Sequence, residues 1–398
     1  MHATKLLHKI LVNTVPHIHN IRLTALIVGV EALLSGALLT VTALGRRLNS
    51  PALTKHNIKR MDRLLSNAHL HRERASIYRS LCHALIGNQP RPVILVDWTD
   101  IVERDRLMVI RAALTCQGRA IPLYESVYPL KKYNTPRTHQ RFLKELQAIL
   151  PEHCRPIIVT DAGFRGPWFK AVEAIGWDWI GRIRNCINYR LHSRHQWRYS
   201  QDLYYRASRK VQYLGPAQLS SKRPYDCHLY LYKKPNQGRK ANRSIVHSIR
   251  HSNDIYFEKQ QKDPWLIATN LAPEDYSPKA IIALYSKRMQ IEECFRDLKS
   301  NRFGFGFTLS RSKDCERLNV LLLIAALATL CLWWIGYHAK GKAWHLHFQA
   351  NSIKDRNVLS LPFLALAVIQ RPDYSLSMTE LIHSSRAFNQ YIHTCQQV

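Results

Sequence analysis

The sequence predicts an α/β core built on a mixed β-sheet, with a β-rich insertion, a helical N-terminal region and a helical C-terminal region. Three observations lead to this fold class. Helix-like apolar patterns fill residues 1–85, short β-rich runs alternate with amphipathic helices over 93–183, and helical patterns return after residue 277. Strands that alternate with helices are typical of a sheet flanked by helices, so the sheet should lie in the middle of the chain.

We expect five segments along the 398 residues. The stretch after residue 185 is rich in Tyr, Arg and Lys and breaks the alternation, with one clear strand at 228–234 and a polar, basic tract at 235–254. We interpret it as a mostly β or irregular insertion into the core. The predicted segments are a helical domain (1–85), the first part of the core (86–185), the insertion (186–262), the second part of the core (263–310) and a helical C-terminal region (311–398).

The elements of the core follow from local patterns. "VILVDW" (93–98) is a short β-rich run, and two further strands should meet at Gln117-Gly118, a dipeptide typical of hairpin turns. "RTHQRFLKELQAIL" (137–150) has the spacing of an amphipathic helix. The order strand, strand, strand, helix, strand, helix, strand then ends at about residue 183, and "PWLIATNL" gives one more strand after the insertion.

The net charge is the strongest compositional signal. Lys and Arg number 58 against 28 acidic residues, which gives a formal charge of +30. Such a surplus attracts polyanions, and nucleic acid is the default partner because phosphates are what Lys and Arg neutralise. An ordinary soluble protein with a charged surface is the plain alternative, and acidic membrane lipids are a lesser one.

Two kinds of cofactor site are not indicated. The nine cysteines contain no C-x-x-C pair, so neither a zinc ribbon nor a disulfide framework is predicted, and we expect reduced, buried thiols in a cytosolic protein. "GYHAKGKA" (336–343) is similar to a phosphate-binding loop, but Ala343 replaces the Ser or Thr that would hold magnesium. We therefore expect no nucleotide cofactor.

One segment has the length and composition of a membrane span. "LNVLLLIAALATLCLWWIGY" (318–337) carries no charge, although no second clear span and no cleavable signal peptide accompany it. We expect a helix buried in a large core, and no membrane partner. A membrane-associated protein is the alternative.

The end of the N-terminal region has the pattern of a helix-turn-helix. The helical pattern breaks at Asn49-Ser50-Pro51 and restarts at Thr54, a plausible N-cap. The second helix would enter the major groove of DNA, and a solvated charged face is the alternative. Its candidate DNA-binding residues are Lys55, Asn57, Lys59, Arg60 and Arg63.

Two aspartates, Asp97 and Asp161, each end a short hydrophobic strand. Ligands bind at the strand ends of α/β sheets, and a lone carboxylate there needs a partner. Magnesium is a natural partner because it takes hard oxygen ligands together with substrate phosphates. Glu292 could supply a third carboxylate to a two-ion site, which would activate a water or a 3′-hydroxyl and stabilise the oxygen leaving phosphorus. Each aspartate could instead be an ordinary turn former.

Glu292 belongs to the pattern "YSKRMQIEECFRDLKS" (285–300), which we predict to be part of one helix that starts at Ser277-Pro278. Tyr285, Arg288, Glu292 and Lys299 fall on one stripe of such a helix. Glu292 would ligate metal, and the other three would bind DNA phosphates. The alternative is that Arg288 and Glu292 form only an i,i+4 ion pair.

Tyr285, Arg288, Glu292 and Lys299 match the Y-(2)-R-(3)-E-(6)-K signature, and the sequence resembles the bacterial DDE transposases of the insertion-sequence-four family. "VDWTD", "VTDAGF" and "PWLIATNL" resemble the other catalytic blocks of that family. "TKHNIKRMDRLL" and "FQANSIKDRNVLS" (348–360) are similar to the branch that includes the transposase of insertion sequence ten, of the tetracycline-resistance transposon type. The resemblance spans nearly the whole chain.

The resemblance implies a ribonuclease-H-like core with a catalytic, metal-binding triad of Asp97, Asp161 and Glu292. It implies two Mg²⁺ ions, which Mn²⁺ could replace, and cut-and-paste transposition through nicking, hairpin formation, hairpin opening and strand transfer. The tryptophan that stacks on a flipped base corresponds to Trp265, a role that suits an aromatic ring. A core tryptophan beside a strand is the alternative.

The partners implied are double-stranded DNA at the transposon ends and at the target, and a second copy of the chain in a paired-end complex, with the C-terminal region as the dimer contact. The implied location is the bacterial cytoplasm, in association with the nucleoid. A catalytically inactive DNA-binding regulator derived from a transposase is the alternative function.

Overall fold

The structure is a computed structural model that describes residues 1–102, 107–184, 187–235, 263–353, 356 and 358–396. The chain forms two compact units. The first consists of Met1–Pro156 and Lys287–Gln397, and the second of Ile157–Ser286. The first unit thus joins the predicted N-terminal and C-terminal helical segments with part of the core, whereas the predicted five-segment division stays a prediction.

Helices and strands follow the predicted order. The helices are α1 (His2–Thr14), α2 (Asn20–Leu34), α3 (Val41–Arg47), α4 (Thr54–Leu65), α5 (Ala68–Ile86), α6 (Pro136–Ile149), α7 (Gly166–Glu173), α8 (Pro278–Ser286), α9 (Met289–Lys299), α10 (Cys315–Gly341), α11 (Leu361–Ile369) and α12 (Met378–Gln396). The strands are β1 (Val93–Val102), β2 (Leu107–Thr115), β3 (Ala120–Pro129), β4 (Ile157–Thr160), β5 (Asp178–Ile183), β6 (Asn188–Leu191), β7 (Arg198–Tyr199), β8 (Gln212–Leu219), β9 (Tyr225–Tyr232) and β10 (Trp265–Thr269).

Helices α3 and α4 pack closely against each other, as a helix-turn-helix requires. A Cβ at Gly45 would lie 2.5 Å from the Cα of Ile58, so the approach depends on glycine. The prediction that Thr54 caps α4 is wrong, because Leu53 holds the N-cap position and Thr54 is already helical. The Leu53 carbonyl accepts hydrogen bonds from His56 N (2.9 Å) and Asn57 N (3.2 Å), which starts the helix one residue early.

The first unit contains an antiparallel meander with strand order β3-β2-β1. The predicted hairpin turn is confirmed at Gly118, whose φ of 71° favours glycine. The register places Arg111 on β2 directly opposite Asp97 on β1 and Glu125 on β3. These three charged side chains therefore share one face of the meander.

The membrane-length segment forms α10, and 94% of its most apolar window is buried inside the protein. The helix packs against α2, β3, α11 and α12 within the first unit. A Cβ at Gly336 would lie 2.0 Å from the carbonyl oxygen of Leu361, so α11 approaches the α10 backbone directly. This burial is what the core-helix interpretation of residues 318–337 predicts.

The second unit contains a mixed sheet with strand order β4-β5-β10-β9-β8-β6-β7. Strands β4 and β5 are parallel, and the remaining pairs are antiparallel. Phe169 of α7 stacks on Trp179 at 4.0 Å and covers Gly181, where a Cβ would lie 2.4 Å from the phenyl ring. Together with the meander of the first unit, the parallel pair and its helices fit the ribonuclease-H-like core that was predicted.

The predicted insertion is rich in β-structure over its described residues, since it contains β6, β7, β8 and β9. Strand β9 pairs directly with β10, so the insertion extends the sheet of the second unit. Residues 236–262, with most of the predicted basic loop, lie outside the described residues, as do 354, 355 and 357 of the "FQANSIKDRNVLS" block.

Candidate active site

Asp97 lies in β1, directly after residues 93–96, whose side chains belong to the core of the first unit. Its Oδ1 accepts a hydrogen bond from Trp98 N at 2.8 Å. The side chain keeps 15% exposure although the flanking Leu95 and Val96 are fully buried. The strand therefore presents one carboxylate at the edge of an otherwise apolar layer.

Glu292 lies in the first turn of α9, where a helix dipole favours negative charge. The prediction of one helix through residues 278–300 is wrong, because α8 ends at Ser286 and α9 begins at Met289. Lys287 and Arg288 form a turn, with hydrogen bonds from Gln290 N to Lys287 O (2.9 Å) and from Ile291 N to Arg288 O (3.2 Å). The stripe of four residues is therefore divided, with Tyr285 in the second unit and the others in the first.

Arg288 brings the two carboxylates of the first unit together. Its Nη1 lies 2.6 Å from Glu292 Oε1 and 3.8 Å from Asp97 Oδ2. One cationic nitrogen thus stands between carboxylates that are almost 200 positions apart in the chain. The predicted i,i+4 pair exists, but Asp97 shares the same guanidinium, so the ion pair belongs to a site and not to the helix alone.

Lys299 is held by a second exposed carboxylate. Its Nζ donates to Asp100 Oδ1 at 2.9 Å, and the Asp100 side chain is 58% exposed. Lys299 was predicted to bind a phosphate, and here its charge is met by Asp100 on β1. Glu293, next to Glu292, faces elsewhere and pairs with Arg119 at 3.3 Å.

A buried ion pair in the same unit, Arg111–Glu125, was not predicted from the sequence. Arg111 Nε donates to Glu125 Oε1 at 2.8 Å, and their side chains are 2% and 0% exposed. Burial lowers the pKa of Arg111, but the neighbouring Cys294 and Glu125 raise it by more, so the guanidinium stays charged. A lone arginine in the apolar strand "LMVIRAALT" and a lone glutamate in "AIPLYESVYP" are the signal that could have revealed the pair.

Arg111 also contacts the helix that carries Glu292. Its Nη1 lies 3.0 Å from Cys294 Sγ, and its guanidinium lies 4.5 Å from the centre of the Phe295 ring. Because Arg111 stands opposite Asp97 in the register, one side chain links the strand of Asp97 to the helix of Glu292. We infer that it positions both.

His139 fixes the residue that follows Asp97. Its Nε2 accepts a hydrogen bond from Trp98 Nε1 at 3.1 Å, and Tyr133 meets the Trp98 ring edge-on at 5.3 Å. Burial lowers the pKa of His139 to about 4, so the ring is neutral near pH 7 and its nitrogen can accept.

In the second unit, Asp161 follows β4 as predicted and is partly exposed. Its Oδ1 accepts a hydrogen bond from Gly163 N at 2.8 Å, and a Cβ at Gly163 would lie 3.0 Å from the same oxygen. The side chain thus has a fixed orientation within a tight turn. Among the residues that the structure describes, no three His, Cys, Asp or Glu side chains are grouped to hold a metal ion, so the metal-binding role of Asp97, Asp161 and Glu292 stays a prediction.

The second unit also holds Trp265 and Tyr285 as an edge-to-face pair, with ring centres 4.9 Å apart. Tyr285 is 3% exposed, so its ring supports Trp265 and is not a surface group, in contrast to the expected direct phosphate contact. The Nζ of Lys234 lies 5.3 Å from the Trp265 ring. Arg182 Nη2 donates to the carbonyls of Asp263 (3.0 Å) and Pro264 (3.2 Å), just before Trp265. Lys234 and Arg182 were not predicted.

The predicted DNA-binding residues of α4 do not share one environment. Lys55, Lys59 and Arg63 are exposed, and their i,i+4 spacing aligns them on one face. Arg60 is half-buried, and Asn57 is only 5% exposed. The Asn57 amide donates to Ala52 O at 3.2 Å, so it stabilises the turn before α4 and does not face solvent as base reading would require.

Of the comparisons with known proteins, the family match supports the transposase resemblance, at a coarser level. A solved structure described as a piggyBac transposase synaptic complex with hairpin DNA has 9% sequence identity and a TM-score of 0.40, over 96% of this chain and 74% of that one. A search of curated proteins finds no match. Residues 88–330, which contain Asp97, Asp161 and Glu292, match the family described as "Transposase DDE domain". This match covers more than half of the sequence, and the chain therefore belongs to the DDE transposase domain family.

Proposed function

We propose that this chain is a DNA transposase of the insertion-sequence-four family, close to the insertion sequence ten branch, that moves its element by cut-and-paste transposition. The observation that carries the proposal is the meeting of Asp97 and Glu292 at one Arg288 nitrogen inside the matched DDE domain. The steps would be nicking, hairpin formation, hairpin opening and strand transfer, performed in a bacterial cytoplasm on nucleoid DNA.

The carboxylates suit a hard divalent cation. Two carboxylate oxygens, from β1 and α9, already converge on one positive charge, and oxygen ligands are what Mg²⁺ prefers. We propose that Asp97 and Glu292, with Asp161 from the second unit, hold two Mg²⁺ ions, which Mn²⁺ would replace. Bound there, the ions would activate the attacking oxygen and stabilise the oxygen that leaves phosphorus.

Ion binding would also change the interactions of Arg288 and Lys299, from carboxylates of the protein to phosphates of the DNA. In this structure Arg288 is paired with Glu292 and Lys299 with Asp100, so neither cation can bind a phosphate. A cation bound by Asp97 and Glu292 would replace the charge of Arg288, whose guanidinium could then take two phosphate oxygens at once. Lys299 would exchange the exposed Asp100 for a phosphate in the same way. The site would thus bind DNA backbone at the place where it cuts.

Trp265 is the proposed platform for an extruded base. It is partly exposed, Tyr285 supports its edge, and Lys234 lies beside its ring. An aromatic face flanked by a cation stabilises an unstacked base next to its phosphate.

End binding is assigned to the N-terminal helices. Lys55, Lys59 and Arg63 form an exposed basic stripe, and none of them has an ion-pair partner among the described residues. We propose that this stripe contacts DNA phosphates, as does the half-buried Arg60, while Asn57 acts in folding. A homodimer joined through the C-terminal region would hold both ends. No membrane and no nucleotide cofactor take part.

The test is nicking of a plasmid that carries the element ends, with Mg²⁺ present. We expect Asp97→Asn and Glu292→Gln to bind the ends and to nick at least ~10³-fold more slowly, because the ligands are lost but the shape is kept. The matched control is Glu293→Gln, which alters the neighbouring carboxylate and should nick normally. Normal nicking by both site variants would refute the metal assignment. End binding by the wild-type chain without nicking in Mg²⁺ or Mn²⁺ would favour the inactive regulator.

A second experiment isolates the platform. Trp265→Ala should slow hairpin formation by about 10–100-fold, the loss of one base stack, while the first nick proceeds at nearly the normal rate. Trp197→Ala is the control, since Trp197 is a partly exposed tryptophan of the same unit with Arg190 beside its ring at 5.0 Å. Equal slowing of both steps would reject the stacking role.

A further inference from the structure

The last turn of α12 meets the β2–β3 hairpin turn of the first unit. Cys116 follows β2 and is 3% exposed, while Cys395 lies near the end of α12 and is half-buried. Their Sγ atoms are 3.9 Å apart. A disulfide requires about 2.05 Å, so the two sulfurs have to move closer before they can bond.

Neighbouring groups hold the backbones of both cysteines in place. Cys116 N donates to Gln290 Oε1 at 2.9 Å, and Lys287 Nζ donates to Cys395 O at 2.9 Å. Lys287 lies in the turn before α9, and Gln290 lies in its first turn. The pair is therefore a fixed feature of the fold and not a chance approach of two loops.

Gln396 attaches the end of α12 to the start of the meander. Its Oε1 accepts from Val93 N at 2.7 Å, and its Nε2 donates to Thr115 Oγ1 at 2.7 Å. The last residues of α12 thus join the strand that carries Asp97, the end of β2 and the entry to the helix that carries Glu292.

The two thiols differ in reactivity. A hydrogen bond from the Cys116 thiol, the nearby Tyr391 hydroxyl and the charge of Lys287 outweigh burial and lower the pKa of Cys395 to about 6. The bond to Cys395 and burial raise the pKa of Cys116. Cys395 is thus a thiolate near pH 7, next to a protonated second thiol. By contrast, burial and nearby carboxylates raise the pKa of Cys315, which is half-buried like Cys395.

We propose that Cys116 and Cys395 form a thiol–disulfide site that small-molecule disulfides such as oxidised glutathione oxidise. The Cys395 thiolate attacks one sulfur of the glutathione disulfide, which forms a mixed disulfide and releases one glutathione thiolate. Cys116 then loses its proton and attacks Cys395 Sγ, which forms the Cys116–Cys395 bond and releases the second glutathione. Two cysteine side chains are oxidised by two electrons in total, and one glutathione disulfide is reduced; the Cys116 proton goes to one released glutathione thiolate, and the other takes its proton from water.

The bond would join residues separated by 279 positions and lock the end of α12 onto the meander. A cross-link over so long a segment restricts the unfolded chain strongly. In a reducing cytoplasm the pair would be open, as is usual for thiols there, and would close under oxidative conditions. This site does not depend on the proposed transposase activity.

The test treats the full-length protein with oxidised glutathione at pH 7 and maps its peptides without reduction. We expect a peptide pair joined through Cys116 and Cys395, and a melting temperature about 5 °C higher that returns to its original value with dithiothreitol. Cys116→Ser should stop at the mixed disulfide on Cys395, and Cys395→Ser should give neither product. Cys315→Ser is the control and should behave like the wild-type chain.

A second measurement uses the wild-type chain alone, so that it does not depend on any variant folding. Iodoacetamide at pH 7 should modify Cys395 at least ~10-fold faster than Cys315. Equal rates at the two residues, or glutathione adducts spread over several cysteines with no Cys116–Cys395 peptide, would overturn the proposal.

Discussion

The first unit holds two ion-pair systems, one at the start of α9 and one between β2 and β3, and they differ in exposure. Arg288 and Glu292 are 17% and 43% exposed, whereas Arg111 and Glu125 are 2% and 0% exposed. Water can replace either partner of the first pair at little cost, but it cannot reach the second. The comparison teaches that one set of charges is exchangeable and the other is part of the scaffold.

The two systems also share a partner element. Arg111 contacts Cys294 and Phe295 on the inner face of α9, and Arg288 binds Glu292 at the start of the same helix. The inner pair, Arg111–Glu125, fixes where α9 lies relative to β1. The outer pair, Arg288–Glu292, can exchange its cation. A metal site needs both properties, because its ligands must be positioned before the ion arrives.

The largest effect should come from breaking the inner pair. Arg111→Met leaves the Glu125 carboxylate buried without its partner and should lower the free energy of unfolding by about 3–5 kcal/mol in urea titrations. Arg119→Met, at an arginine that is 19% exposed and pairs with the partly exposed Glu293 and Asp297, should lose less than about 1 kcal/mol because water can replace these partners. The double variant Arg111→Met/Glu125→Leu should recover most of the loss. Equal losses for Arg111→Met and Arg119→Met would contradict the contrast.

A pH titration extends the comparison to a neutral buried group. The pKa of His139 is about 4 in the folded chain and about 6.5 when unfolded, so its contribution to stability is present above pH 6.5 and is lost as the pH falls toward 4. His139→Gln keeps an acceptor for Trp98 Nε1 but cannot be protonated. Between pH 7 and pH 4, the free energy of unfolding of the wild type should therefore fall by about 3 kcal/mol more than that of the variant.

The measurement is the free energy of unfolding of both chains at pH 7, 5.5 and 4. Parallel curves for the two chains would show that His139 titrates normally in the folded state, which would remove it from the buried scaffold.

Divalent-ion binding without DNA tests the outer pair. Arg288→Ala removes the cation that competes for Asp97 and Glu292, so Mn²⁺ affinity measured by calorimetry should rise about 3–10-fold, or roughly 1 kcal/mol. Arg296→Ala is the control, because Arg296 is 65% exposed and pairs with Glu293 instead. Weaker Mn²⁺ binding by Arg288→Ala would mean that Arg288 supports the carboxylates and does not compete at their site.

The smallest effect on stability should come from the Lys299–Asp100 pair. Lys299→Met and Asp100→Asn should each change the free energy of unfolding by less than about 1 kcal/mol. Only Lys299→Met should weaken binding to DNA ends and reduce the salt dependence by about one phosphate contact. If Asp100→Asn weakened DNA binding to the same extent, the exchange of Asp100 for phosphate would be ruled out.

Local patterns predicted much of this molecule. The strands at 93–98 and after residue 156, the hairpin at Gly118 and the buried helix at 318–337 follow from periodicity and turn residues, and the structure confirms each. The transposase prediction is confirmed at the level of the DDE domain family. The narrower family, the triad and its metal stay proposals.

What the sequence could not predict depends on tertiary packing. No Gly or Pro marks the turn at Lys287–Arg288, which coincides with the boundary between the two compact units. The burial of Asn57 follows from the approach of α3 to α4 at Gly45. The Arg111–Glu125 pair depends on strand register, which hydrophobic patterns alone do not specify when both faces are buried.

The burial of α10 has a consequence for the order of synthesis. A stretch of this apolarity, exposed while it leaves the ribosome, would be a target for the membrane-insertion machinery. Its partners α2 and β3 are translated earlier and can receive it at once, whereas α11 and α12 arrive only after it has emerged. A premature stop codon before residue 361 would therefore leave one flank of α10 uncovered, and the shortened product would be removed by proteolysis or carried to the membrane.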